Sequence, residues 1–161
     1  MFGFFKSFRN FEDFPQFDGH SALHFFYDHM TGLRAVIAIY NDNRGPALGA
    51  TRMWPYASDA DAIQAALNLS KTMAYKSALA GLCFSGGKGV IIGDSHKEKN
   101  KALLSEYARR VQGLGGRFMT GTDVGLTDAD VAYMRTITPY MIGVNNHRSE
   151  SPSEMAAIGV F

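Results

Sequence analysis

The segment Gly81-Leu-Cys-Phe-Ser-Gly-Gly-Lys-Gly-Val-Ile-Ile-Gly-Asp94 surrounds one lysine, Lys88, with glycines and follows it with a β-branched run. Val90, Ile91 and Ile92 predict a buried strand, and the glycines predict a flexible bend that delivers Lys88 at the mouth of that strand. Because glycine lets a ligand or a second backbone come close, Lys88 is a candidate for a shifted pKa. A surface lysine in a turn is an equally simple interpretation of these residues alone.

The same segment does not match a phosphate-binding P-loop. That motif needs Gly-x-x-x-x-Gly-Lys followed by Ser or Thr, so that backbone and hydroxyl groups hold phosphates and magnesium. Counted from Gly81, the lysine comes one residue late, and Gly89 stands where the hydroxyl is required. The sequence therefore excludes a nucleoside-triphosphate loop of this type.

The composition of the 161 residues indicates one domain without a strong charge preference. Sixteen basic and 15 acidic residues nearly cancel, which gives no footprint for nucleic acid or a membrane surface. The single cysteine, Cys83, cannot form an intramolecular disulfide and favours a reduced, cytoplasmic setting. The longest apolar stretch, residues 35–40, is too short to cross a bilayer, and the N-terminus lacks the features of a signal peptide.

Periodicity along the chain predicts an α/β fold, with a mixed sheet, an N-terminal antiparallel hairpin and helices packed on the sheet. Phenylalanines at the N-terminus predict a short helix before Pro15 and a subunit interface. Residues 153–161 predict the first turns of a further helix. The other predicted strands are 23–29, 33–40, 47–53, 90–92, 117–120 and 140–144, and the predicted helices are 62–79, 97–114 and one capped by Thr127 and Asp130.

Three ionisable residues stand beside glycines or at the edges of predicted elements: Lys76, Lys88 and Asp123. Lys76 shares a helix face with Leu69 and Met73, where a lysine commonly extends to solvent. Two lysines held close in an apolar pocket would each disfavour the other's charge, so the pKa of one would fall until it could act as a base. The other could hold a carboxylate, and Asp123 could relay a proton. Such a set suits the oxidation of an α-amino acid.

Four blocks of sequence, in order, resemble the Glu/Leu/Phe/Val dehydrogenases and most of all their leucine/phenylalanine/valine branch. The resemblance covers about residues 22–144. It implies a substrate-binding and oligomerisation domain over residues 1–150, with residues 151–161 beginning the helix that leads to a nucleotide-binding domain. The blocks are Gly45-Pro-Ala-Leu-Gly-Ala-Thr-Arg-Met-Trp-Pro-Tyr56, Met73-Ala-Tyr-Lys-Ser-Ala78, Gly86-Gly-Lys-Gly-Val-Ile-Ile-Gly-Asp94 and Gly116-Arg-Phe-Met-Thr-Gly-Thr-Asp-Val-Gly125.

The resemblance also implies roles for individual residues. Lys88 matches the catalytic lysine that activates the water attacking the imino carbon, and Asp123 matches the aspartate that exchanges a proton with the substrate nitrogen. Lys76 matches the lysine that binds the α-carboxylate. Glutamate-specific members carry a lysine where this chain has an apolar residue, which favours an aliphatic or aromatic amino acid. The other implied substrate-binding positions are Leu48, Gly49, Met73 and Gly121.

The implied activity is reversible, NAD-dependent oxidative deamination of such an L-amino acid to the 2-oxo acid and ammonia. No Gly-x-Gly-x-x-Gly turn follows a predicted strand, because Gly113-Leu-Gly-Gly116 follows a predicted helix. We therefore expect NAD to bind mainly to a domain that this sequence does not contain, and the isolated chain to fold and associate without turnover.

Departures from the family pattern at Ser85 and Ala156 leave a second hypothesis open. It is a free-standing module for oligomerisation or amino-acid binding that performs no chemistry. Under either hypothesis we expect a homo-oligomer that binds a small molecule and uses no metal, nucleic acid or membrane. The preferred amino acid and the size of the oligomer do not follow from the sequence.

Overall fold

The computed structural model describes residues 10–143. None of the helices in this range is both long and apolar enough to cross a membrane. After a short 3-10 helix at Phe11–Asp13, the elements are β1 (Ala22–Asp28), β2 (Leu33–Ile39), β3 (Ala47–Trp54), α1 (Asp59–Leu79), β4 (Ser85–Ile92), α2 (Lys101–Gly113), β5 (Phe118–Thr122) and α3 (Asp128–Arg135).

The five strands form one mixed sheet in the order β1-β2-β4-β3-β5. β1 and β2 are an antiparallel hairpin, β2 is antiparallel to β4, and the pairs β4–β3 and β3–β5 are parallel. The hairpin turn uses Gly32 at φ 72°, and the carboxylate of Asp28 accepts hydrogen bonds from the Thr31 amide and hydroxyl. The predicted mixed α/β fold with an N-terminal hairpin is confirmed, and β4 is its central strand.

Each face of the sheet has its own apolar core. Along β4, Val90 contributes to the core that α1 covers, and the next residue, Ile91, contributes to the core on the opposite face. The α1 side includes Val36, Ala38, Ala66 and Leu67, and the other side includes Ile37, Tyr107, Phe118, Val131 and Met134. The domain is therefore three layers deep, with Lys88 on the same face as Val90.

The prediction that the glycines before Val90 form a flexible bend is wrong, because β4 already begins at Ser85. A Cβ added at Gly86 would overlap the backbone of Ser70 and Ala74 in α1. On the other face, a Cβ at Gly87 would lie 2.7 Å from the Phe118 ring. Glycine is depleted in strands because it has no side chain to pack. Here neighbouring atoms occupy the space where a side chain would lie.

The face of α1 that packs on the sheet consists mostly of small residues, with Leu67 as the one large buried side chain. Ala66, Ser70, Ala74 and Ser77 are buried, whereas Leu69 and Met73 are only partly buried and Lys76 is exposed. The face that the sequence pattern emphasised therefore flanks the contact. Small side chains let the helix backbone come close to β4. The side chains of Leu69, Met73 and Lys76 lie to the side of this contact.

Besides the start of β4, the boundaries of α2 and of the predicted strand 140–144 differ most from the prediction. α2 begins at Lys101 instead of residue 97, because Asn100 caps it by accepting the Leu103 amide. The predicted strand 140–144 contributes a single bridge between Thr120 and Met141 within residues 10–143. The capping box of Thr127 and Asp130 in front of α3 is confirmed. The predicted helix through Phe4 and Phe8, and residues 151–161, lie outside the described residues.

The Gly86→Ala substitution should destabilise the domain, because its Cβ overlaps two backbone atoms that cannot move without shifting α1. We expect a loss of about 1–3 kcal/mol in the free energy of unfolding, typical of overpacking. Gly113→Ala is the matched control: its Cβ meets nothing at the end of α2, where alanine favours the helix. Denaturant unfolding of both variants gives the comparison, and equal midpoints would contradict the packing.

Candidate active site

Lys88 is a buried cation in the central strand. Lys88 is 5% exposed, and its ammonium group donates a hydrogen bond to Oδ2 of Asp123. Asp123 follows β5, and because β3 lies between β4 and β5, the ion pair crosses the α1 face of β3. The structure therefore joins two residues that stand 35 positions apart in the sequence.

The ion pair opens on a groove of about 630 Å³. Met73 and Lys76 extend to it from α1, Ala50 comes from β3, and Thr122 comes from the end of β5. The segment from residue 124 to 128, at the start of α3, completes the lining. The groove therefore presents one exposed lysine, Lys76, one buried lysine, Lys88, and two carboxylates, those of Asp123 and Asp128, to the same space.

Burial is the main influence on Lys88 and lowers its pKa below the ordinary value of lysine. The carboxylate of Asp123 opposes this effect, and the charges of Arg52 and Lys76 add to it. The sequence predicted a lowered lysine pKa through lysine–lysine repulsion. The structure confirms the direction, but desolvation contributes more than Lys76 does.

Burial alone would raise the pKa of Asp123, yet the groups around its carboxylate lower the pKa overall. Lys88 contributes most to the lowering, followed by the Val124 amide, which donates to Oδ1 over 2.7 Å, and by Arg52. Asp123 is therefore held in its anionic form beside a lysine that releases its proton more readily than usual.

Three residues that the sequence assigned to substrate binding lie beside the groove. Leu48 is partly buried on the same face of β3 as Ala50, two residues earlier, but does not belong to the lining. A Cβ at Gly49 would overlap the carbonyl of Gly87, so glycine there keeps β3 close to β4. Gly121 pairs with Ala50, and a Cβ on it would lie 2.8 Å from the carbonyl oxygen of Ile142.

Arg52 is a site residue to which the sequence analysis gave no role. Its Nε lies 3.1 Å from Oδ2 of Asp123, and its Nη2 lies 3.5 Å from Oδ1. Arg52 stands within a predicted strand, where a charged side chain needs a partner if it is buried. That signal was present in the sequence, but nothing local pointed to a partner 71 residues later.

The Asp123→Asn substitution should lower the pKa of Lys88 further, because it removes the charge that stabilises the ammonium while leaving the burial unchanged. Asp128→Asn is the matched control, since Asp128 also lines the groove and is exposed. Titration of the lysine Cε signals by NMR measures both effects. A Lys88 pKa that stays constant or rises in Asp123→Asn would contradict the ion pair.

Comparison with known proteins gives this geometry a context. The sequence profile of the family described as Glu/Leu/Phe/Val dehydrogenase, dimerisation domain, matches residues 22–158. Leucine dehydrogenase of Geobacillus stearothermophilus is 46% identical over 139 residues, which are 85% of this chain and 38% of that protein. Valine dehydrogenase of Streptomyces coelicolor is 50% identical over 113 residues, which are 70% of this chain and 31% of that protein.

A solved structure agrees with these sequence matches. L-Tryptophan dehydrogenase from Nostoc punctiforme superimposes with a TM-score of 0.74 at 42% identity, covering 76% of this chain and 36% of that one. The chain spans between about 30 and 40% of the length of these relatives. The chain belongs to the Glu/Leu/Phe/Val dehydrogenase family, whose dimerisation domain it matches.

Proposed function

We propose that the chain is the substrate-binding part of an NAD-dependent L-amino-acid dehydrogenase. The reaction is the reversible oxidative deamination of an aliphatic or aromatic L-amino acid to the 2-oxo acid and ammonia. The observation that carries the proposal is the buried Lys88–Asp123 ion pair, which opens on a groove that also holds Lys76. Membership of the family supports this class of reaction.

Lys88 acts as the base in this proposal. Its pKa is lowered by burial, so its amine can release a proton more readily than the amine of an exposed lysine and then accept one from water. The water attacks the imino carbon of the oxidised substrate, and the proton that it loses goes to the Lys88 nitrogen. The Lys88 nitrogen must be neutral to accept this proton, and a buried position makes the neutral form of a lysine easier to reach.

Asp123 and Lys76 hold the two ends of the amino-acid backbone. The anionic carboxylate of Asp123 accepts a proton from the substrate nitrogen and returns it when ammonia leaves. Lys76 is exposed at the groove and binds the α-carboxylate by a charge-assisted contact. Met73, on the same helix, offers an apolar contact to the side chain of the substrate.

NAD would accept the hydride from the substrate Cα. Dinucleotides bind at a glycine-rich turn between a strand and a helix. Within residues 10–143 the strand-to-helix connections are 55–58, 93–100 and 123–127, and none carries Gly-x-Gly-x-x-Gly. The described residues therefore do not fit the phosphates of the cofactor, and we derive no step through it. We propose that other residues of a longer polypeptide bind NAD, in line with the proposed division into residues 1–150 and 151–161.

We also propose a homo-oligomer in the cytoplasm. The matching family domain is described as a dimerisation domain, which supports self-association. The one cysteine of the sequence, Cys83, is exposed and free, as suits a reducing compartment. Sedimentation of the chain at micromolar concentration tests the first point, and a monomer would count against it.

Binding of an amino acid to the chain is the direct test of the proposed function. Titration of L-leucine and L-phenylalanine into labelled chain should shift the NMR signals of Lys76, Lys88 and Asp123, and L-glutamate should shift them less. The absence of any shift at these residues would contradict the site. Shifts with every amino acid, the D-enantiomers included, would contradict the assigned orientation.

Turnover is tested in a fusion of the chain to the part of the Geobacillus stearothermophilus leucine dehydrogenase that it does not match. Lys88→Ala and Asp123→Asn should mainly lower kcat, by about 10²-fold or more, as expected for a positioned acid or base. Lys76→Ala should chiefly raise KM, because it removes a contact made in the ground state. Lys97→Ala, at a lysine with 81% of its side chain exposed, is the control.

Two results of this experiment would contradict the proposal. Activity of Lys88→Ala within a few-fold of the parent fusion would remove the catalytic role of Lys88. A folded parent fusion without activity, together with an amino-acid-binding chain, would favour the non-catalytic module instead. The isolated chain should show no turnover in either case.

The Leu48→Lys substitution tests the proposed selectivity for apolar side chains, because Leu48 lies beside the groove on the face of β3 that carries Ala50, from which a lysine side chain could extend into the groove. An apolar wall discriminates among hydrocarbons by only about 1–3 kcal/mol per methylene, so the parent fusion should accept several aliphatic or aromatic substrates. It should reject glutamate more firmly, because the second carboxylate would be desolvated without a partner. Leu48→Lys should shift kcat/KM toward glutamate, whereas Leu79→Lys, at a residue 90% exposed, should not. No gain for glutamate in Leu48→Lys would contradict the assignment.

A further inference from the structure

Arg52 gives Asp123 a second cationic partner, from the strand that lies between β4 and β5. Arg52 belongs to β3, and its guanidinium approaches both carboxylate oxygens, with Nε at 3.1 Å from Oδ2 and Nη2 at 3.5 Å from Oδ1. Lys88 contacts only Oδ2. About a third of the Arg52 side chain is exposed, and 19% of the Asp123 side chain is exposed. One oxygen of Asp123 is therefore shared by two cations.

We propose that Arg52 is a positioning residue that keeps the Asp123 carboxylate anionic and correctly oriented when Lys88 becomes neutral. For catalysis this inference rests on the proposed function, but the positioning itself does not. Lys88 is the partner that changes its charge, and a carboxylate that is mostly buried cannot lose its only counter-charge without a penalty. Arginine keeps its proton throughout the working range of pH.

The shape of the contact supports positioning. A guanidinium that faces two oxygens restricts rotation of the carboxylate, whereas one ammonium on one oxygen allows it to turn. The Val124 amide donates to Oδ1 at 2.7 Å and fixes the same plane from the backbone. Together, Arg52 and Val124 hold Asp123 through contacts that do not include Lys88.

A second, partly buried ion pair of this fold involves neither Lys88 nor Asp123. Lys99 donates to Asp130 at 2.8 Å and to the carbonyl of Gly125 at 2.9 Å. That pair fastens the start of α3, where Asp130 also accepts from Thr127. Arg52 differs because its partner lines the groove and also binds Lys88.

The charged and titratable groups around Asp123 come from every element that packs there. They are Lys76 from α1, Arg52 from β3, Lys88 from β4, Asp128 from α3 and Tyr56 in the segment after β3. Burial raises the pKa of Tyr56, so its hydroxyl stays protonated and does not replace the charge of Arg52. Lys76 is exposed and therefore screened by solvent.

NMR titration of the chain tests the inference without turnover. In Arg52→Met the pKa of Asp123 should rise by about one unit, because a nearby cation shifts a carboxyl by one unit or more. The pKa of Lys88 should rise as well, since Arg52 lowers it through charge. Arg52→Gln, which keeps a hydrogen-bond donor but no charge, should reproduce both rises, and Arg52→Lys should largely restore the original values. Arg34→Met, at the arginine that pairs with Asp59 on the surface, should leave both unchanged.

An unchanged pKa of Asp123 in the Arg52 variants is the result that would contradict the inference. If the folded Arg52→Gln or Arg52→Met protein keeps the pKa of Asp123 and loses only stability, Arg52 is a structural residue and the inference is overturned. If Arg52→Met does not fold, Arg52→Gln decides by the same titration.

The fusion described above adds a kinetic result. Arg52→Gln should lower kcat more than it raises KM and move the acid limb of the kcat profile to higher pH, with Arg52→Lys near the parent. A kcat profile that keeps its acid limb would overturn the positioning role in catalysis. Absence of turnover in the parent fusion would contradict the proposed function but would leave the titration result valid.

Discussion

The close approach of helix α1 to strand β4 is the contact on which the rest of the site depends. At Gly86 the strand backbone lies so near Ser70 and Ala74 that no side chain fits between them. Lys88 points to the same face two residues later and is buried beside the helix. From the same part of α1, Met73 and Lys76 reach the groove that Lys88 faces. The glycine-rich strand β4 and the small residues of α1 therefore bury Lys88, whereas Lys76 at the same groove stays exposed to solvent.

That arrangement sets the electrostatics of the groove. Two cations, Lys88 and Arg52, contact the carboxylate of Asp123, a third, Lys76, lines the same groove, and only Lys88 is almost wholly buried. A buried ion pair is weak evidence for stability, because removing two charges from water offsets much of their attraction. Under the proposed function the arrangement serves the reaction: burial favours a neutral Lys88 amine, and Arg52 with the Val124 amide favours an anionic Asp123. A base and a proton acceptor then coexist at one pH.

Sequence patterns predicted the elements well where the signal is local. The N-terminal hairpin and the capping box of α3 both follow from residues that lie close together in the sequence. The start of β4 did not follow, because glycines in a strand resemble a loop until the helix and the aromatic rings that occupy their space are known. The packed face of α1 was missed for the same reason, since small residues give a weak pattern.

The candidate site shows the same division. The family resemblance assigned Lys76, Lys88 and Asp123 to one site, and the structure places all three on one groove. The contact of Arg52 with Asp123 and the position of Leu48 beside the groove depend on how the strands pair. The spacing of residues in the sequence does not reveal this pairing. The cause of the lowered Lys88 pKa also needed the fold, because burial is a property of the whole packing.

The central claim is that Lys88 is a buried lysine whose amine loses its proton unusually easily despite its ion pair with Asp123. The pKa of Lys88 in the unmodified chain, measured by NMR titration of its Cε signal, tests this claim most directly. The account predicts a pKa clearly below the value of about 10.4 of an ordinary lysine, with Lys97 in the same spectra as an exposed reference. A Lys88 pKa at or above that of Lys97 would mean that the ion pair outweighs burial, and it would contradict the account.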